Sequence, residues 1–136
     1  MRPYAHLLKS PRYQEKKIQL LGKDFIIPDA RSFYWSYKEI FLDRIYEFKT
    51  REDAPRIIDC GSNYGTSIFF FKHKYPKSKI IGIEADPTIF SYLNKNIKQL
   101  NDPDTVIHNL AVSTEKGVVK FRSEGADSGQ IIDDSD

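Results

Sequence analysis

Arg56-Ile57-Ile58-Asp59-Cys60-Gly61-Ser62-Asn63-Tyr64-Gly65-Thr66 is the stretch on which the fold turns. A short β-branched run ends in a carboxylate and passes into a loop with glycines at 61 and 65. This is the pattern of a buried parallel strand feeding a tight strand-to-helix turn. Glycine lets such a turn close sharply and lets the backbone approach a ligand without a Cβ in the way.

The downstream sequence repeats the theme. Thr66 to Lys74 reads as a helix closed by Tyr75-Pro76, and Lys79-Ile80-Ile81-Gly82-Ile83-Glu84 as a second strand. Asp86-Pro87 starts a helix, with proline at the favoured first position and Asp86 as the N-cap. That helix carries Ile89, Tyr92, Leu93 and Ile97 at helical spacing up to Leu100. After the turn cluster Asn101-Asp102-Pro103-Asp104, Thr105 to Val112 gives a third strand with its exit loop, and Val118 to Phe121 a fourth, shorter one. Strands alternating with helices predict right-handed βαβ units, hence an α/β Rossmann-like parallel sheet with helices on both faces, ending after three or four strands.

Upstream, Phe33, Tyr37, Phe41, Ile45 and Phe48 form an apolar stripe that predicts one helix, with Ser32 as its N-cap. The first 30 residues are polar and basic, and read as an extended lead-in with one short strand near Phe25-Ile26-Ile27. The expected organisation is a lead-in over 1–30, a half-domain over 31–123 and an acidic flexible tail over 124–136.

Composition narrows the function classes. Of 136 residues, 40% are hydrophobic and 29% charged, which suits a buried core rather than disorder. The 21 basic and 19 acidic residues are too evenly matched for the electrostatic footprint of a nucleic-acid binder. The longest uncharged apolar run, Ile68 to Phe71, is far short of the roughly 20 residues of a membrane span. No signal-like apolar stretch follows Met1, and the lone Cys60 has no disulfide partner, so a reducing cytoplasm is expected. His6, His73 and His108 are scattered and suggest no metal site, and Cys60 reads as a small buried hydrophobe. The tail acids Glu124, Asp127, Asp133, Asp134 and Asp136 read as solvated rather than metal-ligating.

Ligands of open parallel sheets sit at the carboxyl ends of the strands. The loop fails the dinucleotide pattern, because Asn63 and Thr66 stand where glycines are needed, and fails the P-loop pattern, because Gly65 is followed by Thr66-Ser67. The form Asp-x-Gly-x-Asn-x-Gly suits instead a cationic amino acid attached to a nucleoside, with Asp59 near the cation and loop amides near a carboxylate. Glu84, at the next strand end, can accept hydrogen bonds from both ribose hydroxyls. Asn109 to Ala111, at the third strand end, can meet an adenine edge and leave room for its ring. A plain turn in which Asp59 and Asn63 only cap the helix is the competing account; the second acid favours the ligand.

These residues resemble, in order and spacing, the FkbM family of S-adenosylmethionine-dependent methyltransferases. The resemblance rests on Asp59-Cys60-Gly61-Ser62-Asn63-Tyr64-Gly65, Ile83-Glu84-Ala85-Asp86-Pro87, Leu93-Asn94-Lys95-Asn96-Ile97 and Asn109-Leu110-Ala111-Val112-Ser113 with Gly117. It spans roughly residues 56 to 122, with Cys60, Ser62 and Ala85-Asp86 departing from the commoner family residues. It implies a class I methyltransferase fold and S-adenosyl-L-methionine as cofactor. It also implies that Asp59, Gly61, Ser62, Asn63 and Gly65 line the methionine end, that Glu84 and Ala85 lie by the ribose, and that Asn109 and Ala111 lie by the adenine. Tyr37 to Phe41 resembles a segment preceding the loop in related enzymes, which would bring Glu39 to the methionine ammonium; an exposed helical Glu is the alternative. The implied reaction is O-methylation of a hydroxyl on a saccharide or other small-molecule acceptor. In the family pattern a further strand with an Asp and a Glu-Gly turn follows, and here it does not. The expectation is therefore a partial enzyme, or a non-catalytic nucleoside-binding fragment, with the Ile57-Ile58 strand left as an apolar edge.

Overall fold

The computed structural model describes residues 2–126 and 129–132. After a 3-10 turn at Ala5–Lys9, strands β1 (Lys16–Leu20) and β2 (Lys23–Ile27) form an antiparallel hairpin. Its two-residue turn, Leu21-Gly22, has positive φ at both positions (52° and 75°), the type I′ geometry that matches strand twist. Leu20, Phe25 and Ile27 are fully buried in the main core. The short strand expected near Phe25-Ile26-Ile27 is present as β2, but the extended lead-in is corrected: residues 16–27 are a structural element, with Ile18, Leu20, Phe25 and Ile27 on the inner side and Lys17, Gln19 and Asp24 on the outer one.

Helix α1 (Ala30–Tyr37) is capped by Asp29, not Ser32. Asp29 Oδ1 accepts the Ser32 N–H at 2.8 Å, while Oδ2 accepts the Tyr13 N–H at 2.6 Å and the Arg12 Nε–H at 2.9 Å. The single long helix expected to Phe48 also breaks early. At Lys38–Leu42 the backbone widens into a π-turn, with the Asp43 N–H donating to the Lys38 carbonyl, and Arg44 then takes a positive φ of 55°. The extra residue rotates the apolar stripe off register, which leaves Ile45 and Phe48 exposed. Phe48 stacks instead on Tyr75, with ring centroids 4.3 Å apart.

Strands β3 (Arg56–Cys60), β4 (Lys79–Ile83) and β5 (Thr105–His108) form a parallel sheet in the order β3-β4-β5, linked by helices α2 (Thr66–Lys74) and α3 (Pro87–Lys98). The predicted Rossmann-like α/β alternation is present, and Asp86 caps α3 as expected, accepting the N–H groups of Thr88 and Ile89. Two same-handed crossovers in one direction put α2 and α3 on one face. That face carries the buried Ile57 and Ile80. On the other, the register-aligned Ile58, Ile81 and Val106 are 67%, 43% and 48% exposed. Among the described residues the expectation of helices on both faces is met on one only, and β3 is an edge, as expected.

The fourth strand does not join this sheet. Strand β6 (Lys120–Arg122) pairs antiparallel with β7 (Gln130–Ile132), so residues 130–132, expected within a flexible tail, are a strand. Glu124 is exposed; Asp127, Asp133, Asp134 and Asp136 lie outside the described residues.

Candidate functional site

The carboxyl ends of β3, β4 and β5 open onto a cleft of about 390 Å³. Its floor begins at the loop after β3. Gly61 has a φ of 81°, Asn63 50° and Gly65 103°, so the chain passes three times through the left-handed region within five residues. The N–H groups of Gly61 and Ser62 both donate to the Ile83 carbonyl (2.8 and 2.9 Å), which ties the loop to the end of β4. A Cβ on Gly61 would meet nothing within 4 Å, and this glycine faces the cleft.

Glu84 closes the arrangement. Its Oε2 accepts the Asn63 N–H and its Oε1 the Asp86 N–H, each at 2.9 Å. Every carboxylate oxygen can accept two hydrogen bonds. Each Glu84 oxygen therefore keeps capacity for one more donor while the carboxylate is held still between two backbone amides. The Asn109 side-chain amide donates to the Glu84 and Ala85 carbonyls (2.8 and 3.1 Å), strapping the exit of β5 to the exit of β4.

The residues singled out by sequence therefore divide. Gly61, Asn63, Glu84, Ala85 and Ala111 line the cleft. Asp59, Ser62, Gly65 and Asn109 do not line it but brace the segments that do. Asp59 Oδ2 accepts the Ser67 hydroxyl at 2.6 Å in the first turn of α2. Ser62 is buried and its hydroxyl donates to the Asp59 carbonyl at 2.9 Å. Gly65 packs under α3, where a Cβ would lie 3.1 Å from Leu93 Cδ1. Glu39 is exposed on the π-turn, apart from the cleft lining.

Four features escaped the sequence reading. Cys60 is exposed and lines the cleft, because the last residue of β3 points to the uncovered face. Gly82 admits the loop: a Cβ there would lie 2.8 Å from both Ile68 Cδ1 and Ser62 Oγ. Asn96, buried in α3, donates to the Tyr64 carbonyl at 2.8 Å and so holds the loop from below. Finally, Phe121 and Ile131 of the β6–β7 hairpin, with Gly129, form a wall of the cleft. The apolar Ile131-Ile132 pair after Gly129 was the available signal for the hairpin.

No group of three or more His, Cys, Asp or Glu able to hold a metal ion occurs among the described residues, and no helix there is long and apolar enough to cross a membrane.

No family model matches the chain, so the FkbM resemblance stands on its motif residues alone. The solved structure of coclaurine N-methyltransferase, bound to N-methylheliamine and SAH, aligns with 83% of this chain and 30% of its own, at a TM-score of 0.45 and 13% identity. Two curated fungal proteins are similar in sequence. Methyltransferase 1 of Beauveria bassiana is 33% identical over 104 residues, 74% of this chain, and methyltransferase sdnD of Sordaria araneosa is 39% identical over 66 residues, 48% of this chain. The chain spans 41% and 25% of the lengths of these two relatives, respectively, and over those spans it is similar to methyltransferases.

Proposed function

We propose that this chain is the nucleoside-holding portion of an S-adenosylmethionine-dependent methyltransferase. The observation that carries the reading is the Glu84 carboxylate, fixed by the Asn63 and Asp86 amides at the junction of two parallel strand ends, with one free acceptor site on each oxygen. Vicinal ribose hydroxyls are a matched pair of donors for it. The residues fit the group: the cleft falls in the 300–1,000 Å³ range of small-molecule sites, and the Cβ-free Gly61 leaves room beside the carboxylate. When bound, S-adenosylmethionine supplies an electrophilic methyl group on a sulfonium centre.

In this reading Glu84 orients the ribose, and Gly61 and Asn63 run along the methionine side. Ala85 and Ala111 leave space for the base. Asp59 acts indirectly, holding the first turn of α2 through Ser67. The similarity to curated methyltransferases supports the reaction class. The motif resemblance supports the finer reading, transfer to a hydroxyl of a saccharide or other small metabolite.

Isothermal titration of the chain with S-adenosylmethionine and S-adenosylhomocysteine tests the proposal. Saturable one-site binding, lost in Glu84→Ala while thermal unfolding stays cooperative, is the expected result. No saturable heat with either ligand would overturn it. Labelled-methyl transfer to a panel of sugars and hydroxylated metabolites tests the finer reading, and transfer confined to nitrogen acceptors would overturn that part.

A further inference from the structure

The sequence reading left residues 118–132 outside the site, yet Phe121, Gly129 and Ile131 all line the same cleft as Glu84. Phe121 and Ile131 are register partners in the β6–β7 hairpin. From the β5 exit, Leu110 and Val112, each 59% exposed, line the same cleft. Apolar side chains gathered on a cleft and left open to water mark a place where an apolar or flat ligand surface recovers the burial.

Gly129 fixes the geometry of this wall. A Cβ at that position would lie 2.4 Å from both Cε1 and Cζ of Phe121, so the ring occupies the space that any other residue's side chain would take. The ring is therefore held against bare backbone on one side while it lines the cleft.

We infer that Phe121, set in place by Gly129, is the platform for the flat base of the nucleoside, with Leu110 and Val112 adding apolar surface to the same cleft. The inference rests on the nucleoside reading of the cleft and adds a residue to it: Glu84 selects the ribose, and the hairpin selects an aromatic base. Phe121 contacts the ligand; Gly129 is a positioning residue acting through it.

Titration calorimetry of the chain with S-adenosylhomocysteine and with adenosine tests this, because adenosine keeps the base and ribose but lacks the amino-acid arm. Phe121→Ala is expected to raise Kd about 10-fold for both ligands, within the range for base–aromatic stacking. Gly129→Ala should weaken both in the same direction, and Phe121→Trp should retain binding and show ligand-dependent quenching of the new indole. Phe121→Leu, which keeps apolar bulk but no ring, guards against an unfolded hairpin and should also bind more weakly. Unchanged affinity in folded Phe121→Ala and Phe121→Leu, with Glu84→Ala still abolishing binding, would overturn the hairpin inference alone. Absence of binding by the unaltered chain would overturn both readings.

Discussion

Asn96 holds the backbone of Ile26, 70 positions earlier, through both ends of its carboxamide: Oδ1 accepts the Ile26 N–H at 2.7 Å and Nδ2 donates to the Ile26 carbonyl at 2.8 Å. A carboxamide carries the same donor and acceptor as a peptide group, so α3 presents β2 with the equivalent of one residue of a neighbouring strand. The same Nδ2 reaches the Tyr64 carbonyl, which joins hairpin, helix and cleft loop at one buried side chain.

Asn96→Ala should therefore cost more than a cavity. It strands the partly buried N–H and carbonyl of Ile26 and the buried carbonyl of Tyr64, and each unsatisfied buried group costs about 1–3 kcal/mol. A loss of about 3 kcal/mol or more in urea unfolding is expected on that basis. A loss under about 1 kcal/mol would show that water replaces the amide.

Gly82→Ala tests the close approach of sheet and loop. The added methyl would sit 2.8 Å from Ile68 Cδ1 and from Ser62 Oγ, and Ser62 is committed to the Asp59 carbonyl. Overpacking of this kind costs about 1–3 kcal/mol. Because the displaced atoms belong to the cleft loop and to the helix after it, the affinity for S-adenosylhomocysteine should fall along with the melting temperature.

Asp29 sets an acid limit on stability. Burial would raise its carboxyl pKa, but the hydrogen bonds from Ser32, Tyr13 and Arg12 outweigh that and hold it at about 2, below the ordinary 3.8. The stabilisation is present above about pH 4 and lost as pH falls towards 2, and it amounts to about 2 kcal/mol. Asp29→Asn should flatten the pH dependence of unfolding free energy in that window relative to the unaltered chain. An unchanged slope across the same window would remove Asp29 as its source.

The parts legible in the sequence were those with local causes. Ile57-Ile58 and Ile80-Ile81 announce strands by β-branching, Asp86-Pro87 announces its helix by cap chemistry, and Gly61 and Gly65 mark the turn that their positive φ angles confirm. What was missed depends on distant partners. The β1–β2 hairpin hides its alternation behind charged residues and turns at Leu21, a residue that gives no sign of a left-handed conformation. Its burial is secured by Asn96, which nothing near residue 26 reveals. The π-turn after Tyr37 has no sequence signature either, and it ended an otherwise convincing apolar stripe.

The uncovered sheet face has a measurable consequence for the chain on its own. Ile58, Ile81 and Val106 sit side by side across three strands, and among the described residues β3 is an edge with unpaired ladder groups. Sedimentation velocity should show association that grows with concentration. The double substitution Ile58→Thr and Ile81→Thr should suppress it at modest cost in stability, since Ile58 is mostly in water and Ile81 is less than half exposed. A monomer at all accessible concentrations would count against an adhesive face.

Glu84→Gln separates charge from shape at the centre of the site. Glutamine has the same length but only one acceptor oxygen, and its amide nitrogen is a donor. Glu84 now accepts one backbone N–H on each oxygen, from Asn63 and from Asp86. In the variant one of those N–H groups would face another donor, so the loop or the start of α3 must shift, and one of the two acceptors proposed for the ribose is gone. Hydrogen bonds to charged groups contribute about 1.5–3 kcal/mol, so a rise of about 10- to 100-fold in Kd for S-adenosylhomocysteine is expected, with a smaller fall in thermal stability. Homocysteine, which lacks the ribose, should lose less affinity, through the loop shift alone. If the Glu84→Gln variant bound the nucleoside as tightly as the unaltered chain does, the assignment of Glu84 to the ribose would fail even though the cleft itself remained.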